Sequence, residues 1–219
     1  MAPRCRDYLY EGPEEPDITI ETRYYDPVHY PYITDENLLA YMESGCQFYI
    51  KLLYYNGFYL HSSAVEMDGK AYLFSAHSGV GKSTHTRLWQ EIFGDAAQVF
   101  NDDKPALRRL DGRWYAYGTP WCGKDGINQN KKVPLAGICF LKRSSENRIR
   151  QLTAMEALQK ILPQTTYRLR KPERMDLLLD HVEKIIREIP VFELENRPEP
   201  AAARLSYETM SRKAKEMGL

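Results

Sequence analysis

The segment Ala76-His77-Ser78-Gly79-Val80-Gly81-Lys82-Ser83 follows an apolar β-like run, KAYLFSA, and directly precedes a stretch with helical periodicity. These residue types suit phosphate chemistry. Gly79 and Gly81 let backbone N–H groups turn inward, a helix N-terminus adds positive potential, Lys82 can reach the β- and γ-phosphates, and the Ser83 hydroxyl can ligate Mg²⁺. A loop formed by His77, Ser78, Gly79, Val80, Gly81, Lys82, Ser83 and Thr84 is expected to hold ATP with Mg²⁺. The strict pattern has glycine at its first position, where this chain has Ala76. Alanine is small enough to leave the expectation intact, and the alternative, a glycine-rich turn with no ligand, does not use the Lys-Ser pair.

Such a loop needs a carboxylate at the end of a neighbouring strand to complete a magnesium site. Asp102 and Asp103 stand 20 and 21 positions after Lys82, behind the apolar stretch AAQVF. Two adjacent carboxylates allow a division of labour, one holding the metal and one accepting a proton from a hydroxyl substrate. Without the phosphate loop, the same pair reads as a solvated acidic turn.

The elements that must position these groups are legible in part. AVEM, Asp68-Gly69 and KAYLFSA form a hairpin signal, because Asp-Gly supplies the positive φ angles of a two-residue turn, and ALRRL-DG-RWYAYG repeats it. Leu88, Trp89, Ile92 and Phe93 recur at helical spacing after the loop, with Gly94 as the stop. LAGICFLKR is a continuous apolar strand of the kind found inside a sheet. TAMEALQKIL capped by Thr153, ERMDLLLDHVEKIIREI and residues 199–216 read as helices, with VFELE as a strand between the last two. Before the hairpins, ITIETRYY and QFYIKLLYY pattern as strands around a short helix, DENLLAYMESG, capped by Asp35 and ended by Gly45. Residues 1–16 read as a frayed tail or an irregular lead-in, with order from Ile18. The reading is an α/β protein with a mixed, largely antiparallel sheet, an N-terminal β-rich extension over residues 1–57 and a core over 58–219.

Composition fits this scale. With 219 residues and 43% apolar content the chain can bury a core without disulfides. Thirty basic and thirty acidic residues cancel, so nucleic acid is not the default partner. Four cysteines without a Cys-x-x-Cys pair, five histidines without metal-ligand spacing, and the lack of a leader or a membrane-length apolar run point to a cytoplasmic protein with reduced thiols and no structural zinc. Tyrosines crowd the first 75 residues, at 24, 25, 30, 32, 41, 49, 54, 55, 59 and 72, as on half-buried strands.

The order L-H-S-S-A-V, strand, S-G-V-G-K-S, N-D-D resembles the catalytic core of HPr kinase/phosphorylase and, more distantly, ATP-dependent phosphoenolpyruvate carboxykinase, over roughly residues 58–145. NDDKPAL…YGTPWCGKDGINQN stands where HPr kinases carry a glycine-rich signature. The overall pattern is more similar to HPr-kinase-related proteins found beside peptide-modification genes, some of which phosphorylate a serine of a lasso-peptide precursor. The resemblance implies an HPr-kinase/carboxykinase-like fold and transfer of a phosphoryl group from ATP·Mg²⁺ to a hydroxyl, most simply Ser or Thr of a protein or peptide. It also implies that His61, 21 residues before Lys82, polarises the catalytic aspartate. On its own this histidine would read as a satisfied core residue. Asp102 is assigned as the base and Asp103 as the Mg²⁺ ligand, an assignment that can be exchanged. A small-molecule alcohol as acceptor, and a nucleotide-dependent ATPase switch, are the rival readings. ATP, GTP and pyrophosphate stay open as donors, as does a homo-oligomeric state.

Secondary candidates are Lys124, able to clamp a transferring phosphoryl group, and Arg143, at the end of ICFLKR. Trp121 and Asn130 are candidates for lining an acceptor pocket. Arg168, Arg170, Lys171 and Arg174 form a basic cluster whose simpler reading is a solvated helix approach. The side chains of His77 and His85 flank the loop with no evident partner.

Overall fold

The computed structural model describes residues 2–21, 34–165, 169 and 171–219. Its strands are β1 (Gly57–Tyr59), β2 (Ser62–Met67), β3 (Lys70–Ser75), β4 (Gln98–Asp103), β5 (Ala106–Leu110), β6 (Arg113–Tyr117), β7 (Lys132–Arg143), β8 (Arg148–Gln151) and β9 (Val191–Asn196). The helices are α1 (Ala2–Cys5), α2 (Glu36–Leu52), α3 (Lys82–Phe93), α4 (Ala154–Ile161), α5 (Pro172–Glu188) and α6 (Pro200–Glu216). The strands form one curled mixed sheet in the order β1-β5-β6-β7-β3-β2-β4, with β9 also on β7 and β8 on β9. The result is an α/β fold with flanking helices.

Both Asp-Gly hairpins form. Asp68 and Gly69 have φ of 53° and 69°, Asp111 and Gly112 of 47° and 81°, the left-handed pair that a two-residue turn between right-twisted strands demands. β7 runs parallel to β3 and to β9, and antiparallel to β6 through its first residues, Lys132–Pro134. Its apolar run is continuous because helices cover both faces. Along β3, Leu73 faces the cluster of Val182, Ile185 and Ile161 from α4 and α5, whereas Tyr72 and Phe74 face Trp89 and Met210 from α3 and α6. Alternate side chains of one strand thus serve two cores. Thr153 caps α4 in a reciprocal capping box with Glu156.

Three expectations are corrected. The β-rich extension over residues 1–57 is not found among the described residues: Ile18–Glu21 form no strand, and QFYIKLLYY is helical, because α2, capped by Asp35 as expected, runs on through Leu52 into a 3-10 turn at Leu53–Tyr55, with β1 starting only at Gly57. Gly45 does not end this helix. It shares a face with Tyr49 and Leu52, and a β-carbon there would stand 2.8 Å from Trp121 Cδ1, so this glycine admits the indole. Order does not wait for Ile18: residues 9–18 are the irregular lead-in expected, but Arg4 Nη1 donates to the Tyr41 hydroxyl (2.9 Å) and the Cys122 carbonyl (3.3 Å), and Asn130 Nδ2 donates to the Asp7 carbonyl (2.9 Å). Among the crowded tyrosines, Tyr59 and Tyr72 lie on strands, Tyr41, Tyr49, Tyr54 and Tyr55 lie on α2 or its 3-10 extension, and Tyr24, Tyr25, Tyr30 and Tyr32 fall outside the described residues, as do residues 22–25 of the ITIETRYY strand expectation. Strand β8 was not expected. Among the described residues no helix is long and apolar enough to cross a membrane.

His85 shows how α3 is locked to α6. The Ser206 hydroxyl donates to the Ala203 carbonyl (2.9 Å), so it accepts from both Trp89 Nε1 (3.0 Å) and His85 Nε2 (3.1 Å). The proton of the imidazole is therefore on Nε2, and buried Nδ1 has no partner among the described residues. Burial pushes the His85 pKa down to about 4. Between the unfolded value near 6.5 and this folded value, the unfolded chain binds the extra proton. Stability is thus complete above about pH 6.5 and falls by about 3 kcal/mol as pH drops through 4. Urea titrations at pH 7 and 4.5 are expected to show this loss in the wild type and a smaller one in His85→Gln.

Candidate active site

The glycine-rich loop of residues 76–83 lies between β3 and α3, the place expected of it. Gly79 and Gly81 have φ of 81° and 124°, which only glycine adopts readily, whereas Ala76 is absent from the positive-φ positions, so alanine there costs no backbone strain. α3 begins at Lys82 with Gly81 as its N-cap and no side chain capping it, leaving the helix N-terminus open to an anion. Lys82 Nζ folds back over the loop to the Ala76 carbonyl (3.3 Å). Burial lowers the Lys82 pKa, opposed by the charges of Asp103 and Asp102. His77, Ser78 and Gly79 are exposed, while Val80, Gly81, Lys82 and Ser83 are partly buried and Thr84 is exposed on the first turn.

Asp102 and Asp103 end β4, which pairs antiparallel with β2 so that Ser63 faces Asp102 and Ser62 faces Asp103. Successive strand residues point to opposite faces. Asp102 turns toward α3 and accepts from Ser83 Oγ at 3.0 Å. Asp103 meets His61 Nε2 through Oδ1 at 3.0 Å and Lys104 Nζ through Oδ2 at 2.6 Å. The expected pairing of His61 with Asp102 is thus corrected: the histidine faces Asp103, and the loop serine faces Asp102. Burial acts to raise the Asp103 pKa, but the His61 hydrogen bond and Lys104 outweigh it and hold the carboxyl well below the usual range. Asp103 also has φ of 108°, a strained conformation for an L-residue, at the point where β4 ends.

His61 is held from three sides. Its N–H donates to the Gln164 carbonyl (2.7 Å), its carbonyl accepts from Ser75 Oγ (2.8 Å), and Nδ1 lies 2.9 Å from the Gln164 side-chain amide. A carboxylate only accepts, so Nε2 carries the proton in the pair with Asp103. Gln164 and Lys104 were not anticipated. Lys104 adjoins the paired carboxylates in sequence, and that adjacency was its available signal; Gln164 arrives from the turn after α4, 103 residues from His61, with no local signal.

The segment 118–129 seals the edge of β4. Asp103 bridges Cys122, Gly123 N donates to the Asp102 carbonyl (2.5 Å), Asp102 N to the Ile127 carbonyl (3.1 Å), and Gln129 N to the Phe100 carbonyl (2.8 Å). Lys124 is exposed at the tip of the turn closed by Gly126 N on the Gly123 carbonyl (3.2 Å), and Asp125 in that turn pairs with Arg87 of α3 at 2.6 Å. Arg143 donates to the carbonyls of Gly79 and Val80, so it props the loop. Trp121 is buried, its indole N–H donating to the Tyr41 carbonyl (3.1 Å). Asn130 reaches Asp7 and not the carboxylates. Lys171 precedes α5 and Arg174 lies on its first turn, whereas Arg168 and Arg170 fall outside the described residues.

Ser83 and Asp102 offer a hydroxyl and a carboxylate side by side, a donor set suited to Mg²⁺, which takes few protein oxygens and completes its shell with phosphates and water. Among the described residues no group of three or more His, Cys, Asp or Glu gathers to hold a metal by themselves. Lys104 has a separate effect that can be measured. Removing its charge in Lys104→Met is expected to raise the Asp103 carboxyl toward the ordinary carboxylate range, read as the midpoint of the Asp103 side-chain ¹³C shift against pH.

No protein-family model matches the chain, and no curated protein matches it. Among solved structures, the chain is loosely similar to the HPr(Ser) kinase/phosphatase from Coxiella burnetii, with a TM-score of 0.42 and 12% identity over 72% of this chain and 90% of that one.

Proposed function

We propose that the chain is a phosphotransferase that moves the γ-phosphoryl group of ATP, with Mg²⁺, to a hydroxyl acceptor, a Ser or Thr of a protein or peptide. The observation that carries this reading is the pairing of two unlike carboxylates beside a lysine-bearing phosphate loop: Asp102 on the loop serine, Asp103 on a histidine. The two roles are therefore exchanged relative to the first assignment.

In this reading the loop amides of residues 77–84 and the Lys82 ammonium bind and orient the phosphates. Ser83 and Asp102 would hold Mg²⁺, which supplies charge neutralisation of the phosphoryl oxygens when bound. Asp103 accepts the proton of the attacking hydroxyl. His61, fixed by Gln164, and Lys104 orient that carboxylate and keep it ionised. A carboxyl held this low is a weak base, which suits a loose transition state in which the hydroxyl proton leaves late. Lys124 sits on the turn touching Asp102 and can approach the transferring group, while Arg143 maintains the loop's shape through its carbonyls.

Incubation with γ-labelled ATP and Mg²⁺, alone and with serine peptides or small alcohols, tests the proposal. Label on an added acceptor is the expected result, and its chemistry separates peptide from small-molecule transfer. Phosphate release unaffected by any acceptor would replace the kinase reading with a nucleotide-hydrolysing switch.

A further inference from the structure

A cavity of about 420 Å³ opens behind the carboxylates, between α2, β5 and the residues that follow β6. Its walls include Phe48, Tyr55, Ala106, Tyr117 and Trp121, and it is large enough for an aromatic side chain. One cation faces it: Arg108 uses Nε on the Tyr55 carbonyl (2.9 Å), and its two terminal nitrogens have no hydrogen bond among the described residues.

The cavity is tied to the site by one short stretch of backbone. Thr119, in its wall, donates from Oγ1 to the Lys104 carbonyl (2.9 Å), and Tyr49 donates to the same carbonyl (2.5 Å). Three residues after Thr119, Cys122 bridges Asp103. Lys104 directly follows Asp103, so the Thr119 wall of the cavity and the Asp103 end of β4 are neighbours, within reach of one bound peptide.

The geometry points to this cavity as the site that binds an aromatic side chain of a peptide acceptor, a few residues from the hydroxyl that is phosphorylated. The aromatic walls supply stacking and edge contacts, and Arg108 meets a carbonyl or carboxylate oxygen of the adjoining peptide backbone. The proposal rests on the kinase reading for the hydroxyl, and on the cavity alone for the aromatic.

The test uses labelled serine peptides with Tyr or Phe walked through the positions flanking the serine on either side, and their alanine counterparts. Fluorescence anisotropy without nucleotide reads binding; transfer from ATP·Mg²⁺ reads KM and kcat. An aromatic peptide is expected to bind at least about tenfold more tightly than its alanine counterpart, lowering KM while kcat changes less than twofold. Ala106→Leu, which narrows the cavity, and Arg108→Gln are each expected to erase most of that preference while leaving transfer to a small alcohol unchanged. Transfer to peptides with no aromatic preference, or a preference that survives both variants, overturns the cavity assignment and leaves the kinase reading standing. Aromatic-selective binding that both variants weaken, without transfer to any acceptor, supports the cavity and overturns the kinase reading.

Discussion

On the proposed phosphotransferase reading, Lys82→Ala is expected to lower phosphoryl transfer by on the order of 10²–10³-fold, the loss that follows when one preorganised cation is removed from a site where phosphoryl charge must be stabilised. The expectation follows from position. Lys82 opens α3, and its ammonium bends over the loop to Ala76, the place where a bound phosphate would replace that carbonyl contact. Burial lowers its pKa and the charges of the two aspartates oppose that, so alanine removes a cation that both carboxylates face. Thermal unfolding measured beside initial rates separates the catalytic loss from misfolding. Activity within tenfold of wild type would remove Lys82 from the phosphate site.

Asp103→Asn and Asp102→Asn separate the two carboxylates. The Asp103 change preserves shape and the hydrogen bond from His61 while removing the proton acceptor, so transfer falls about 10²–10⁴-fold with ATP·Mg²⁺ affinity little changed. Asp102→Asn instead weakens the oxygen set shared with Ser83, so the Mg²⁺ concentration needed for half-maximal rate rises, and part of the activity returns at high metal. Rates measured over a magnesium series for both variants check this. If high metal rescued Asp103→Asn and failed to rescue Asp102→Asn, the roles would be the reverse.

Much of this arrangement is legible in the residues. The loop, both Asp-Gly hairpins, the central strand β7 and the capped helix α4 each announce themselves through local chemistry: a left-handed turn pair, a glycine pattern, an uninterrupted apolar run, a capping box. The continuation of α2 was hidden because Phe48, Ile50 and Leu52 alternate as a strand does. Tertiary packing decides the matter, since Tyr49 must reach Lys104 and Thr119 while Gly45 gives way to Trp121. The choice between Asp102 and Asp103 was open for a related reason. Neighbouring strand residues face opposite ways, and which one meets His61 depends on the register of β4 against β2, shifted by an irregularity between Ala64 and Val65. Gln164 was beyond reach because its role depends on where the turn after α4 comes to rest.

The measurement that bears most directly on the central claim is calorimetric titration of ATP·Mg²⁺ into the wild-type chain and into Lys82→Ala. A phosphate loop at residues 77–84 gives saturable one-to-one binding that requires Mg²⁺ for full affinity and weakens at least about tenfold in the variant, the loss of one charge-assisted contact. No binding to the wild type, or equal binding to both proteins, would contradict it.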